Sequence, residues 1–370
     1  MHPLRSFALL MLLAIFGGAL AACAPSTVTS TELNLYGFPE YIPEKLIDEF
    51  ERETEITVNY ATYSTNEEML AGLQNKPGKY DLIIPSDYAV ESLIERNALL
   101  PLDLSLIPNY NNIYTPFLNP YFDPGGDTTA DQPALQNQKF SLPYLWGTTG
   151  ILYDQTKVSQ PITSWSDLWR PELAGHLVVL DDAREMMGIA LLSLGYDKNA
   201  TDPDRLMEAR EKLMELAPGI VAFGAETIDE YLVFGEVWVA VMYNGNAAVA
   251  ERSNPDLVYV FPEEGVGIWF DNMAIPADAP HADAAQAFMN YVLDAENAAL
   301  LVQSLPYSTP NMGALEFLKE NDSAFYEAYV SSLASSPPQD ALLGAKMVKN
   351  VDIATALLYE EYWALIKSGR

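Results

Sequence analysis

Two short segments hold the residues best suited to chemistry in this sequence. Asp182 and Glu185 stand three apart in Asp181-Asp182-Ala183-Arg184-Glu185, a spacing that puts both on one face of a helix start. Free amides and the helix macrodipole favour ionised carboxylates there, so both are expected to be anionic at neutral pH. In Trp269-Phe270-Asp271 a strand's period of two puts Trp269 and Asp271 on the same face, an aromatic wall beside a carboxylate. Carboxylates next to flat rings suit an organic cation, paired at its charge and stacked along its methylenes. Taken singly, each group also has an ordinary use: the two acids as a solvated helix cap, Trp269 as core.

Catalytic and metal signatures are missing. The three histidines, His2, His176 and His281, share no metal-ligand spacing, and there is no Gly-x-Ser-x-Gly elbow or dinucleotide fingerprint. The nearest approach to a phosphate loop, Gly78-Lys79, runs into Tyr80 instead of Ser or Thr. No catalytic residue, metal ligand or cofactor is expected. A glycosidase using Asp182 with Asp271 would need a fixed carboxylate separation, which nothing in the sequence sets. Twenty basic against 51 acidic residues give a net charge of −31, which repels phosphate backbones and argues against nucleic acid as a partner. With 370 residues, 49% of them hydrophobic, the chain has length for about two domains and a core that needs no disulfide or metal staple.

The N-terminus reads as a processing signal. Arg5 is followed by an apolar run from Phe7 to Phe16, then small residues up to Ala22, then Cys23, the sole cysteine. Residues 1–22 are expected to be a lipoprotein signal peptide, since the apolar run is too short to span a bilayer. Leu20-Ala21-Ala22-Cys23 resembles the bacterial lipobox, which implies that Cys23 is a lipid anchor. Residues 23–31 read as a flexible tether. The protein is expected outside the cytoplasm, in the periplasm or anchored to the outer face of the cytoplasmic membrane, as a monomer.

The elements that must position the carboxylates follow an α/β rhythm. Leu33–Tyr36, Ile56–Tyr60 and Tyr80–Pro85 read as strands, with helices near Pro43–Glu53 and Asn66–Gln74. A second run of strands comprises Leu177–Leu180, Val237–Asn244, Leu257–Pro262 and Gly267–Pro276, and helices return at Ala282–Leu293, Ala295–Gln303 and Ile353–Ile366. Two α/β lobes joined by more than one crossing are expected, with residues 32–142 plus 269–312 in one and 143–268 plus 313–370 in the other. A cleft between lobes is the default ligand site.

The chain is similar to the bacterial spermidine/putrescine-binding proteins, the extracytoplasmic components of ABC importers. The resemblance runs through Leu35-Tyr36-Gly37-Phe38-Pro39-Glu40-Tyr41, Tyr80-Asp81-Leu82-Ile83-Ile84-Pro85-Ser86, Pro143-Tyr144-Leu145-Trp146-Gly147-Thr148, Thr163-Ser164-Trp165-Ser166-Asp167-Leu168-Trp169, Asp181-Asp182-Ala183-Arg184-Glu185, Tyr243-Asn244-Gly245, Pro306-Tyr307-Ser308-Thr309-Pro310-Asn311 and Tyr359-Glu360-Glu361-Tyr362. It implies a two-lobed venus-flytrap α/β fold that closes on a ligand held at its hinge, a polyamine ligand and ABC permease partners. It also implies that Glu40, Asp182, Glu185 and Asp271 face amines, that Phe38, Tyr41, Tyr88, Tyr243, Trp269 and Tyr307 box the methylene chain, and that Ser86 adds a polar contact. The family usually has tryptophan at Phe38 and Tyr243 and a hydroxyl residue at Pro39. Lys349, by its spacing from Tyr359, falls where spermidine binders carry glutamine. Its ammonium is expected to pair with a site carboxylate and to shorten the cavity, favouring putrescine over spermidine. A sugar or a zwitterion in the same fold is the alternative ligand. Binding of a polyamine should weaken below about pH 5, where ordinary carboxylates protonate.

Overall fold

The computed structural model describes residues 28–123, 138–224 and 228–369, so the signal segment and Cys23 lie outside the described residues. The first lobe starts with parallel β1 (Glu32–Gly37) and β2 (Thr57–Thr62), linked by helix α1 (Glu44–Thr54), then α2 (Asn66–Asn75), β3 (Leu82–Ile83) and α3 (Asp87–Glu95). Pro43 sits one position before α1 as its cap, which spares the helix the loss of an N–H. Of the strand expected over 80–85, only two residues pair as β3.

A 14-residue strand, β4 (Ser141–Asp154), leaves this lobe and enters the second, buried along its whole length. The second lobe contains β5 (Leu177–Val179), α4 (Ala183–Ser193), α5 (Pro203–Leu216), β6 (Ile220–Phe223), α6 (Ile228–Val233), β7 (Val239–Tyr243), α7 (Asn244–Ser253) and β8 (Leu257–Val260). Strand β9 (Gly267–Ala274) returns antiparallel to β4. Helices α8 (Ala282–Val292), α9 (Ala295–Ser304), α10 (Met312–Asn321) and α11 (Ser323–Ser331) follow, then β10 (Lys346–Met347) beside β9, and α12 (Ile353–Ser368). The sheet path is β2-β1-β3-β9-β4-β7-β5-β6. Each lobe thus has parallel strands on one side, and the antiparallel pair β4–β9 crosses between them.

The apolar cores follow this division. In the first lobe Leu33, Leu35, Phe50, Leu82 and Phe288 pack together, and in the second Trp165, Leu177, Met186, Leu213 and Val241 pack with Tyr359 and Trp363 of α12. Helices α10 and α11, which carry no clear signal in the sequence, pack on α9 through Ala298, Val302, Ala314, Leu318 and Tyr329. The expected division at 312/313 therefore cuts a helical cluster attached to α9. Thr29 and Ser30, expected within the tether, are docked instead. The Thr29 backbone N–H donates to Asp283 Oδ2 at 2.7 Å, and the Ser30 hydroxyl donates to Asp283 as well, so the chain docks on the first turn of α8 before Glu32.

Candidate solute-binding site

Most of the candidate residues follow the C-terminal ends of parallel strands, where α/β sheets open their ligand crevices. Phe38, Glu40 and Tyr41 follow β1, Ser86 and Tyr88 follow β3, Asp182 and Glu185 follow β5, and Tyr243 ends β7. Trp269 and Asp271 lie on the crossing strand β9, and Tyr307 follows α9.

Asp271 is the centre of the first-lobe half. It is 6% exposed and accepts two hydroxyl hydrogen bonds, from Ser86 Oγ at 2.6 Å and from Tyr41 Oη at 2.7 Å. Ser86 precedes α3 as its cap residue but makes no side-chain cap bond. Its oxygen instead accepts from Asn66 Nδ2 at 3.0 Å, and its backbone N–H donates to Asn66 Oδ1. Burial pushes Asp271 up to about 6 despite the two hydroxyl donors, because no cation within 4.0 Å compensates the desolvated charge among the described residues.

Asp182 is its counterpart in the second lobe. Oδ1 caps α4 by accepting from Glu185 N at 2.9 Å, and Oδ2 accepts from Tyr243 Oη at 3.1 Å. Burial first, and then the negative charge of Glu185, push Asp182 up to about 6. Helix capping and ligand binding are thus compatible uses of one side chain. The expected ionised state at neutral pH therefore has less margin than a helix N-terminus by itself would give.

The rings form a continuous wall between the two carboxylates. Tyr41 and Tyr307 meet edge to face with centroids 5.9 Å apart, Tyr307 and Trp269 at 5.5 Å, and Trp269 and Tyr243 at 5.6 Å. Two glycines make room for it. A Cβ on Gly147 would come within 2.3 Å of the Trp269 ring, and one on Gly245 within 2.4 Å of the Tyr307 ring. Trp269 Nε1 is buried without a hydrogen-bond partner. Tyr88 lies at the cleft edge, donating to Glu67 Oε1 at 3.1 Å and facing the Arg184 guanidinium of the other lobe at 5.5 Å. Phe38 packs on Tyr41 and Tyr63 behind the wall.

Two expectations need correction. Glu185 is not a free carboxylate: both its oxygens are bonded to Lys198 Nζ, at 2.9 and 3.0 Å. Lys349 does not pair with a site carboxylate. Its side chain is exposed, while its backbone carbonyl accepts from Arg184 Nη2 and its N–H donates to Asn199. Glu40 is exposed too, in a left-handed turn at φ 54° that swings Tyr41 inward at a modest backbone cost.

The sequence reading missed Asn66, which fixes Ser86, and Asn244, which is fully buried and bonds Thr148 N at 3.0 Å and Ala334 O at 2.8 Å. It also missed Lys198 and Asp87. Asp87 is buried with Oδ2 unpartnered, and burial raises its carboxyl well above the ordinary range. No local pattern marks any of the four, because each works through a partner more than ten residues away or through its burial. Among the described residues no group of His, Cys, Asp or Glu is placed to hold a metal, and no helix is long and apolar enough to cross a membrane.

Residues 45–331 match the bacterial extracellular solute-binding proteins. The chain belongs to that family. The spermidine/putrescine-binding periplasmic protein of Salmonella typhimurium is 35% identical to this solute-binding protein over 364 residues, 97% of this chain and 98% of its own. The putrescine/cadaverine-binding protein of Pseudomonas aeruginosa is 31% identical over 81% of this chain and 85% of its own. A Listeria monocytogenes structure named for a spermidine/putrescine ABC transporter has a TM-score of 0.83 at 35% identity, covering 92% of this chain and 100% of that one. The α/β architecture with its curled sheet is accordingly the periplasmic-binding-protein fold that the sequence led one to expect.

Proposed function

We infer that this solute-binding protein captures a polyamine outside the cytoplasm and delivers it to an ABC permease without chemical change. The observation that carries this reading is the pair Asp182 and Asp271: two desolvated carboxylates, each held by tyrosine, with no cation within 4.0 Å of either among the described residues and a wall of four rings between. A ligand with ammonium groups and a methylene chain neutralises the acids and covers the rings. The names of the relatives agree with it. A neutral sugar would leave both buried charges unpaired, which disfavours it.

Calorimetric titration of the chain from Ala24 onward, unfolded and refolded to strip carried-over ligand, tests this. One-to-one binding of putrescine or spermidine is expected, with no heat from a neutral sugar. The affinity should hold above pH 7 and fall as pH drops through about 6, since protonation removes the ammonium's partner. Between pH 7.5 and 5 the loss is about tenfold for each carboxylate facing an amine, so ~100-fold for both. A flat pH profile, or equal heat with a sugar, would refute the assignment.

Cys23 is assigned as the acylated first residue of the mature chain, tethering a monomer to the outer face of the cytoplasmic membrane. Expressed in full length in a bacterial host, the wild-type chain is expected in the membrane fraction and Cys23→Ser in the soluble one. Equal partition of the two would remove the anchor.

A further inference from the structure

The Glu185–Lys198 pair is unusual for its burial. The two side chains are 5% and 2% exposed, and the ammonium sits between both carboxylate oxygens. Burying such a pair is costly unless its geometry is good, and the surrounding backbone is shaped to hold it. Gly188 clears the stem, since a Cβ there would lie 2.6 Å from Lys198 Cγ. Gly267, on the crossing strand two residues before Trp269, clears the charged ends, since its Cβ would lie 3.1 Å from both Glu185 Oε2 and Lys198 Nζ. The loop carrying Lys198 is clamped in turn. Asn199 Nδ2 donates to Met347 O and Asn199 Oδ1 accepts from Lys349 N, while Tyr359 Oη donates to Ala200 O.

The position of the pair matters more than its strength. Glu185 lies one helical turn along from Asp182, whose backbone cap it completes, so its carboxylate stands beside the charge assigned to one ligand amine. Three acids therefore bracket the aromatic wall: Asp182 and Asp271, with no cation within 4.0 Å among the described residues, and Glu185, already paired with Lys198.

We propose that Lys198 is a specificity-determining residue: its ammonium fills the place of a third ligand amine on Glu185, so that the cleft is matched in charge to a diamine and discriminates against a triamine. The inference rests on the polyamine reading of the site and deepens it. A triamine entering the same cleft brings a third cation with no free carboxylate at the Glu185 end and meets the Lys198 charge instead.

The test is calorimetric titration of wild type, Lys198→Met and Lys198→Gln with putrescine and with spermidine, in one buffer at pH 7.5. Wild type is expected to prefer putrescine. Either substitution frees Glu185, and the putrescine-to-spermidine affinity ratio is expected to fall at least tenfold, mostly through tighter spermidine binding. Two variants are used because methionine leaves Glu185 without a donor, whereas glutamine keeps one and protects folding. The double variant Lys198→Met with Glu185→Gln should lose the gain for spermidine, which separates the freed charge from mere loosening of the loop. A ratio that stays within threefold in both single variants, or a wild type that prefers spermidine, overturns the role of Lys198 while leaving polyamine capture intact. A wild type that binds neither amine overturns polyamine capture itself, and the inference with it.

Discussion

Asp271→Asn is expected to lower polyamine affinity by about two to three orders of magnitude without lowering the stability of the ligand-free protein. Removing one partner of a buried ion pair costs about 3–5 kcal/mol, and the bound ammonium would lose the partner fixed by Ser86 and Tyr41. Both hydroxyls can turn to meet an amide, so the local hydrogen bonds survive. The stability effect has the opposite sign. Asp271 is raised from the ordinary aspartate value to about 6 by burial, so the folded state holds its proton more tightly than the unfolded chain. Its charge then weakens the ligand-free fold as pH rises from about 4 through 6, and by about 3 kcal/mol at neutral pH. Asparagine removes that cost. Thermal melts at pH 7.5 should show ligand-free Asp271→Asn at or above wild type, while calorimetry shows binding lost. An affinity within threefold of wild type would place the ligand elsewhere, and a strongly lowered melting temperature would make Asp271 a structural group.

Gly147→Ala should be the more damaging change to the molecule as a whole. The added carbon would lie 2.1 Å from Asn244 Oδ1 and 2.3 Å from the Trp269 ring, far inside contact distance, and neither neighbour can yield cheaply. Asn244 is fully buried and fixed by Thr148 N and Ala334 O, while Trp269 faces Gly147 directly in the β4–β9 register. Overpacking of this kind costs about 3 kcal/mol, roughly a 5–10 °C drop in melting temperature. Displacing Trp269 also breaks the wall between Tyr243 and Tyr307, so polyamine binding should fall at least tenfold in whatever protein remains folded. A variant with unchanged melting temperature and affinity would show that the ring has room to move. Gly175→Ala is a useful comparison, because nothing lies within 4 Å of its Cβ while its φ is +81°. Its cost would be backbone strain alone, with binding untouched.

A good part of the site is legible in the chain because its placing rules are local. A strand's period of two puts Trp269 and Asp271 on one face, a three-residue step puts Asp182 and Glu185 at one helix start, and the C-terminal ends of parallel strands gather such groups in a crevice. Asp181-Asp182-Ala183-Arg184-Glu185 illustrates how far that goes. The pattern marks a helix start rich in charge, yet each charge has a separate duty: Asp181 pairs with Lys367, Asp182 caps α4, Arg184 holds the Lys349 carbonyl and stacks on Tyr359, and Glu185 holds Lys198. Those partners come from α12, the loop before α5 and the segment after β10, at sequence separations no periodicity reaches.

The same limit explains the exchange of one lysine for another. The resemblance points to Lys349 as the cation to consider, because its interval from Tyr359 puts it where spermidine binders carry glutamine. In the fold its backbone is used and its side chain is exposed, whereas Lys198, in a turn with no signal of its own, runs under α4 to Glu185. Whether a charged side chain is buried, and against which opposite charge, depends on how the lobes pack, and composition and spacing do not encode that. The apolar run behind Arg5, the α/β order of elements, the aromatic and acidic character of the candidate cleft residues and the absence of catalytic motifs are properties of the sequence itself, since each follows from residues near one another in the chain. Which carboxylates stay open, which is closed by a resident lysine, and which glycines make room for the rings were decided only by the tertiary structure, because desolvation and steric fit arise from neighbours that folding brings together.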